Sequence, residues 1–102
     1  MAGLTVPLSD NCYIMRSHVK AYPCVATGQG AVAAALEMHK RIGGRVADIA
    51  SIDVIMADHP FLGRQQQYPH RTHPDSREGA DHSFNFVTAV ALVDGVFGLA
   101  QY

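Results

Sequence analysis

Apolar and polar positions recur with two different periods in the first half of this chain, and each period predicts one type of element. Residues 12–19 and 51–57 alternate partly between apolar and polar side chains and favour β-branched residues, a pattern typical of strands. Between residues 28 and 42 apolar side chains recur near helical spacing, and Gly43-Gly44 follows as a C-terminal stop. The first half of the chain therefore predicts strand, helix and strand.

The second half opens with a region that has no periodicity. Residues 58–79 contain three of the five prolines and three histidines, and we interpret them as an extended surface loop. A helix follows, capped by Asp81 or Ser83 and ended by Gly95. The tail, residues 96–102, is expected to form a last strand or a frayed end.

Taken together, these elements predict an α+β fold. The expected architecture is a two-layer sandwich, with two main helices packed on one face of a mostly antiparallel sheet. A chain of 102 residues is long enough to bury one hydrophobic core, and no repeat or linker divides it. Residues 1–102 are therefore expected to form a single domain.

The composition narrows the classes of partner. With 48% hydrophobic and 17% charged residues the chain is not a disordered tail, and a net charge of −1 gives no field suited to nucleic acid or an acidic membrane. The start of the chain has no signal-peptide pattern, and the apolar run over residues 87–93 is too short to span a bilayer. Cys12, on a predicted strand, and Cys24, predicted to pack in the core, have no ligand cluster beside them, which favours reduced thiols. We expect a cytoplasmic protein that binds neither nucleic acid nor membrane.

Two short segments gather ionisable side chains where the predicted helices begin. They are residues 19–24 (VKAYPC) and residues 77–83 (REGADHS). Helix starts expose unpaired backbone N–H groups and the positive end of the helix dipole, so a cation and a histidine near them favour a carboxylate. Lys20 and His82 supply those groups, and the expected ligand is anionic.

Each candidate also has a plainer interpretation. The cation could be an ordinary exposed lysine, since such lysines are common. The run Asp81-His82-Ser83 resembles a catalytic triad in composition, but three adjacent residues cannot all face one substrate, so a capping role is expected for its Asp or Ser. His70 and His73 are flanked by prolines that argue against a helical pair of ligands. No metal and no organic cofactor is predicted.

Three motifs occur in one order along the chain: KAYPC at residues 20–24, AVAAAL at residues 31–36, and ADHSF at residues 80–84, which continues to VALVDG at residues 90–95. In these motifs the chain resembles the smaller, C-terminal domain of the MmgE/PrpD family. That family includes 2-methylcitrate dehydratase, cis-aconitate decarboxylase and iminodisuccinate epimerase. The resemblance implies a two-layer α+β domain. Complete members also have a large helical domain, which this chain lacks.

The resemblance further implies which residues act. A lysine at the position of Lys20 lines the active site of the family at the domain boundary, and the motif around His82 lies near the domain interface. Lys20 and His82 are therefore the catalytic candidates. Lys20, Tyr22, Asp81 and Ser83 are expected to help bind the substrate.

One segment departs from the pattern of the family. Many members have histidines after the Lys-x-Tyr-Pro motif, whereas this chain has VATGQG at residues 25–30. Thr27 and Gln29 in this segment can hydrogen-bond a ligand, but neither titrates near neutral pH and neither can act as an acid or base there.

The resulting hypothesis is a stand-alone or truncated MmgE/PrpD-like domain from a lyase or isomerase lineage that acts on di- or tricarboxylates. Such a domain is expected to be inactive alone and to need a helical partner domain. The alternative is a non-enzymatic ligand-binding or protein-interaction module, with a homodimer as one form, because surface normally covered by the helical domain would be exposed. A chain cut from a longer protein is the third possibility.

Overall fold

The computed structural model describes residues 13–102, and every regular element in that range is helical. The predicted α+β sandwich is therefore wrong, because no β-strand occurs between residues 13 and 102. The α-helices are α1 (Gln29–Arg41), α2 (Pro60–Gln65), α3 (Pro69–Thr72), α4 (Arg77–Asp81) and α5 (Phe84–Asp94), and single 3-10 turns occupy Tyr13–Arg16, Ala26–Gly28, Val46–Asp48 and Leu99–Gln101.

Neither predicted strand forms. In the first, Tyr13–Arg16 is a 3-10 turn closed by the hydroxyl of Ser17, which donates to the Tyr13 carbonyl at 3.1 Å, while the Val19 side chain is 99% exposed. Cys12, which was predicted to lie on this strand, is outside the described residues. In the second, residues 51–57 have no regular structure. A strand is stabilised only by pairing with another strand, and neither segment has a pairing partner among the described residues.

The predicted loop over residues 58–79 is also wrong, because three short helices lie within or begin in it. Pro60 and Pro69 stand in the first turns of α2 and α3, where a proline loses no hydrogen bond and its fixed φ favours the helix. The ring of His59 accepts a hydrogen bond from the backbone N–H of Phe61 at 3.1 Å and so caps α2. The hydroxyl of Ser76 caps α4 in the same manner.

The two predicted long helices are confirmed, and they form the core. α1 packs mainly against α5, and the buried side chains at this contact are Val32 and Ala35 from α1 and Val87, Ala91 and Leu92 from α5. The buried Cys24 joins the same cluster, as predicted. No described helix is long and apolar enough to cross a membrane.

Glycine ends both long helices. After α1, Gly43 and Gly44 have φ values of 60° and 71°, and after α5, Gly95 has a φ of 69°. This left-handed conformation favours glycine, which confirms the predicted C-terminal stops. At the end of α5 the ring of His39 also donates from Nδ1 to the Leu92 carbonyl at 2.7 Å, which fixes the end of α5 against α1. The tail closes with the 3-10 turn Leu99–Gln101 rather than with a strand.

Candidate functional site

The two segments with ionisable residues lie side by side in the fold. The backbone N–H of Val25 donates to the Asp81 carbonyl at 2.8 Å, which joins the first segment to the end of α4. Between them is an open cleft of about 260 Å³, which we call the cationic cleft. It is lined by Lys20, Pro23, Cys24, Val25, Arg77, Asp81, His82, Leu99 and Tyr102.

Charge in the cationic cleft is positive on balance. Lys20 and Arg77 contribute two cations and Asp81 one carboxylate, while His82 adds a further positive charge whenever it is protonated. Lys20 and Arg77 are both exposed at the rim, so a bound anion would meet them without displacing buried groups. The cleft therefore suits a ligand with a carboxylate or a similar anionic group.

The side chain of Gln29, at the start of α1, holds the turn after Lys20 at both of its ends. Its Oε1 accepts from the Tyr22 N–H at 2.9 Å, and its Nε2 donates to the Tyr22 carbonyl at 2.9 Å and to the Cys24 carbonyl at 3.2 Å. A side-chain amide accepts at its oxygen and donates from its nitrogen at the same time, and this turn uses both functions. Gln29 therefore positions the turn that follows Lys20, and its polar atoms are engaged with backbone.

Cys24 forms the floor of this turn. Burial raises the pKa of its thiol, the nearby Lys20 ammonium lowers it, and the Asp81 carboxylate raises it. The thiol is thus protonated at neutral pH. Lys20 and Asp81 thus act on this pKa in opposite directions.

His82 lies between Asp81 and the preceding turn of α4. Its Nδ1 contacts both the carboxylate of Asp81 and the backbone carbonyl of Glu78. Both of those groups are acceptors, so Nδ1 must carry the proton, and in the neutral ring Nε2 then holds the lone pair. The Asp81 carboxylate and the Glu78 carbonyl therefore favour the tautomer with its proton on Nδ1.

Ser83, the third member of the run, does not line the cationic cleft. It is fully buried, accepts a hydrogen bond from the Phe86 N–H at 3.2 Å, and donates to the Arg71 carbonyl. It is the N-cap of α5, in line with the predicted capping role. Arg71 in turn donates from its guanidinium to the His82 carbonyl at 3.3 Å, so α3 holds the junction between α4 and α5.

Two residues of the cationic cleft were not singled out from the sequence. Arg77 stands four residues before Asp81, and this helical spacing places both on one face of α4. The spacing is therefore a sequence signal that Arg77 lies beside Asp81. The sequence around Tyr102 does not indicate its role, because its hydroxyl donates at 2.6 Å to the carbonyl of Pro23, which is far away along the chain. The Arg77 guanidinium lies 5.6 Å from the centroid of the Tyr102 ring. The pKa of Tyr102 is raised to about 12. Burial is the main cause, Cys24 and Asp81 raise this pKa further, and Arg77 lowers it.

Two other predicted binding residues lie outside the cationic cleft. The Thr27 hydroxyl donates to Oε1 of Gln65 at 2.8 Å and lines a separate apolar cleft beside α1. The ring of Tyr22 packs against the core. The site therefore gathers Lys20, Asp81 and His82, and leaves Tyr22 and Thr27 apart.

A second polar cleft, of about 450 Å³, lies on the other side of His82. It is lined by His70, Arg71, Asp75, Ser76, Glu78, Gly79 and His82. Within residues 13–102 no three histidine, cysteine or acidic side chains are grouped closely enough to hold a metal ion. The side chains of the cationic cleft are suited to two kinds of chemistry: its cations can bind an anion, and the imidazole of His82 can transfer a proton.

The family model for the MmgE/PrpD C-terminal domain matches residues 22–102. Comparison with curated proteins and with solved structures gives no match. The matched range includes Arg77, Asp81 and His82 of the cationic cleft, and Lys20 lies two residues before it.

Proposed function

Because this chain belongs to the MmgE/PrpD family, we propose that it provides part of a carboxylate-binding site from a lyase or isomerase lineage acting on di- or tricarboxylates. The observation that supports this proposal is the cationic cleft, which has Lys20 and Arg77 as well as Asp81 and His82 in its lining. A cleft with two cations and an oriented imidazole has the groups needed to hold a carboxylate and to move a proton beside it. As compartment we propose the cytoplasm, where Cys24 would stay a free thiol.

The proposed reaction is abstraction of a proton from the carbon next to a carboxylate. Lys20 and Arg77 bind that carboxylate, and Nε2 of His82 takes the proton. The electron pair left on carbon spreads onto the carboxylate, whose growing charge the two cations stabilise. Departure of a hydroxyl from the neighbouring carbon, as water that takes up the proton held by His82, gives a lyase. Uptake of a proton from solvent on the other face of the carbon, with His82 releasing its proton to solvent, gives an isomerase.

We propose that the chain does not turn over such substrates by itself. The cationic cleft is open and Lys20 is exposed, so water competes with the ligand for each charge. Residues 25–30 also offer no second group that titrates near neutral pH. Release of product from 2-methylcitrate or cis-aconitate by the purified chain, lost on Lys20→Ala, would contradict this part of the proposal.

Binding is tested by titrating the folded, isotope-labelled protein with succinate, tricarballylate and citrate while following backbone amide shifts. We expect saturable shifts over residues 20–25 and 81–83. Lys20→Ala should weaken binding by roughly tenfold or more, because a hydrogen bond to a charged group contributes about 1.5–3 kcal/mol. Lys40→Ala is the matched control, because Lys40 is an exposed lysine that pairs only weakly with Glu37 at 4.0 Å. Equal affinities in the two variants, or no saturable shift at all, would refute the proposal.

A protein-interaction module is the second candidate function. It is favoured by the apolar cleft of about 550 Å³ beside α1, which is far less polar than the cationic cleft and holds none of its ionisable residues. The two functions are distinguished by the carboxylate titration, because a pure interaction module would give no saturable shift around Lys20.

A further inference from the structure

Residues 50–58, which we call the edge segment, run along the surface without regular structure. None of their backbone groups forms a backbone hydrogen bond with another residue of the described part of the chain. The flanking residues Ile49 and His59 both have extended backbone, with φ and ψ of −79° and 118° and of −140° and 133°. Residues 50–58 themselves contain no turn or bend. A segment of this kind whose N–H and C=O groups are unpaired can accept a β-strand as a neighbour.

The side chains of the edge segment fit the same interpretation. Its centre alternates in part and is rich in β-branched residues, and the Ile55 side chain is 94% exposed. The apolar cleft is lined by all six consecutive residues 52–57, Asp53 included, and by the α1 residues Ala34 and Met38 among others. An added strand could place alternate apolar side chains in this cleft.

Charge indicates what kind of strand would bind. Residues 46–59 contain Asp48, Asp53 and Asp58, all exposed, and no lysine or arginine. A second copy of this chain would bring three more aspartates to the same edge, and like charges on paired strands are destabilising. A strand flanked by basic residues would instead be attracted.

We infer that the edge segment is a docking site for an extended segment of a partner protein that has alternating apolar residues flanked by lysine or arginine. The partner strand hydrogen-bonds to the free backbone of residues 52–57 and inserts apolar side chains into the cleft beside α1, while its basic residues face Asp53 and Asp58. This surface is separate from the cationic cleft, and the inference does not depend on carboxylate binding.

The inference is tested with three synthetic peptides that share one alternating Val/Thr core. One is flanked by lysines, one by glutamates, and the third is the lysine peptide with alternate backbone nitrogens methylated. We expect the first to bind, to slow hydrogen exchange at residues 52–57, and to weaken as salt is added. The methylated peptide should not bind, because it lacks the donors needed for pairing. Absence of binding by the lysine peptide would overturn the inference.

A charge reversal tests the specificity. Asp53→Lys should lower affinity for the lysine peptide and raise it for the glutamate peptide, each by roughly three- to fivefold, the range of an exposed ion pair. Asp75→Lys is the matched control, because Asp75 is exposed but lines the second polar cleft. Equal binding of both peptides by the unmodified protein would overturn the inference. So would concentration-dependent dimerisation of the free protein that protects residues 52–57, because the occupant would then be a second copy.

Discussion

At the scale of single residues, two segments far apart in the sequence supply the ionisable groups of the cationic cleft. Lys20, Asp81 and His82 were singled out and lie along one cleft, because the two segments that contain them pack against each other. Gln29 was expected to contact a ligand, and the structure engages its amide with the Tyr22–Cys24 turn. Residue type indicates that a group can hydrogen-bond, but only the folded chain determines which partner is nearest.

The role of Gln29 predicts the effect of an isosteric change. Gln29→Glu keeps the acceptor for the Tyr22 N–H but cannot donate to the two carbonyls, so both are left facing a carboxylate. We expect a loss of about 1–3 kcal/mol in the free energy of unfolding, measured by urea denaturation, and faster amide exchange at Tyr22. Gln67→Glu, at an exposed glutamine between α2 and α3, is the control and should change stability by less than about 0.5 kcal/mol. Equal effects of the two substitutions would contradict the positioning role.

Cys24 predicts a pH dependence that reports on Lys20. In a Cys12→Ser background, the midpoint pH for reaction of Cys24 with iodoacetamide should lie above the ordinary thiol value, because burial disfavours the thiolate. Lys20 lowers this pKa, so Lys20→Ala should move the midpoint further up, while Asp81→Asn should move it down. The variants are compared by this midpoint pH and not by the reaction rate, because burial slows the access of iodoacetamide to the thiol in every variant. An unchanged midpoint in Lys20→Ala would show that the ammonium does not lie near the thiol.

At the scale of elements, long helices with terminal signals were predictable and short elements were not. α1 and α5 have apolar positions at helical spacing and glycine stops, and both are confirmed. Prolines and missing periodicity predict a loop over the segment with α2 and α3, but Pro60 and Pro69 each stand at the start of a helix, where proline is favoured. Residues 51–57 have a strand pattern, but a pattern cannot supply the neighbouring strand that a sheet requires.

The end of α5 predicts a contrast between two glycines. Gly43 and Gly95 both have positive φ, but a Cβ at Gly43 would meet no atom within 4 Å, whereas one at Gly95 would lie 2.5 Å from the His39 ring. Gly43→Ala should cost about 1–2 kcal/mol from the left-handed backbone alone. Gly95→Ala should cost about 1–3 kcal/mol more, because the His39 ring must move and lose its bond to the Leu92 carbonyl. Thermal or urea unfolding measures both, and equal losses would show that the ring is free to move aside.

At the scale of the whole molecule, one helical core supports two surfaces of different chemistry. The cationic cleft lies where the first segment meets α4, and the apolar cleft lies between α1 and the edge segment. The fold class could not be predicted, because it depends on whether distant strand-like segments pair, and periodicity within one segment contains no information about pairing. Family membership, in contrast, was predictable from three short motifs, and the family model that matches residues 22–102 confirms it.

If the two segments with ionisable residues form one carboxylate site, Lys20 and Arg77 should contact the same ligand, and a double-mutant cycle measures whether they do. The affinity for citrate is measured by calorimetry in the unmodified protein, in Lys20→Ala, in Arg77→Ala and in the double variant. If both cations hold the same ligand, each single substitution should weaken binding by roughly tenfold, and the double variant should depart from the sum by at least about 0.5 kcal/mol. Strictly additive losses, or single substitutions with no effect, would show that Lys20 and Arg77 do not share a ligand.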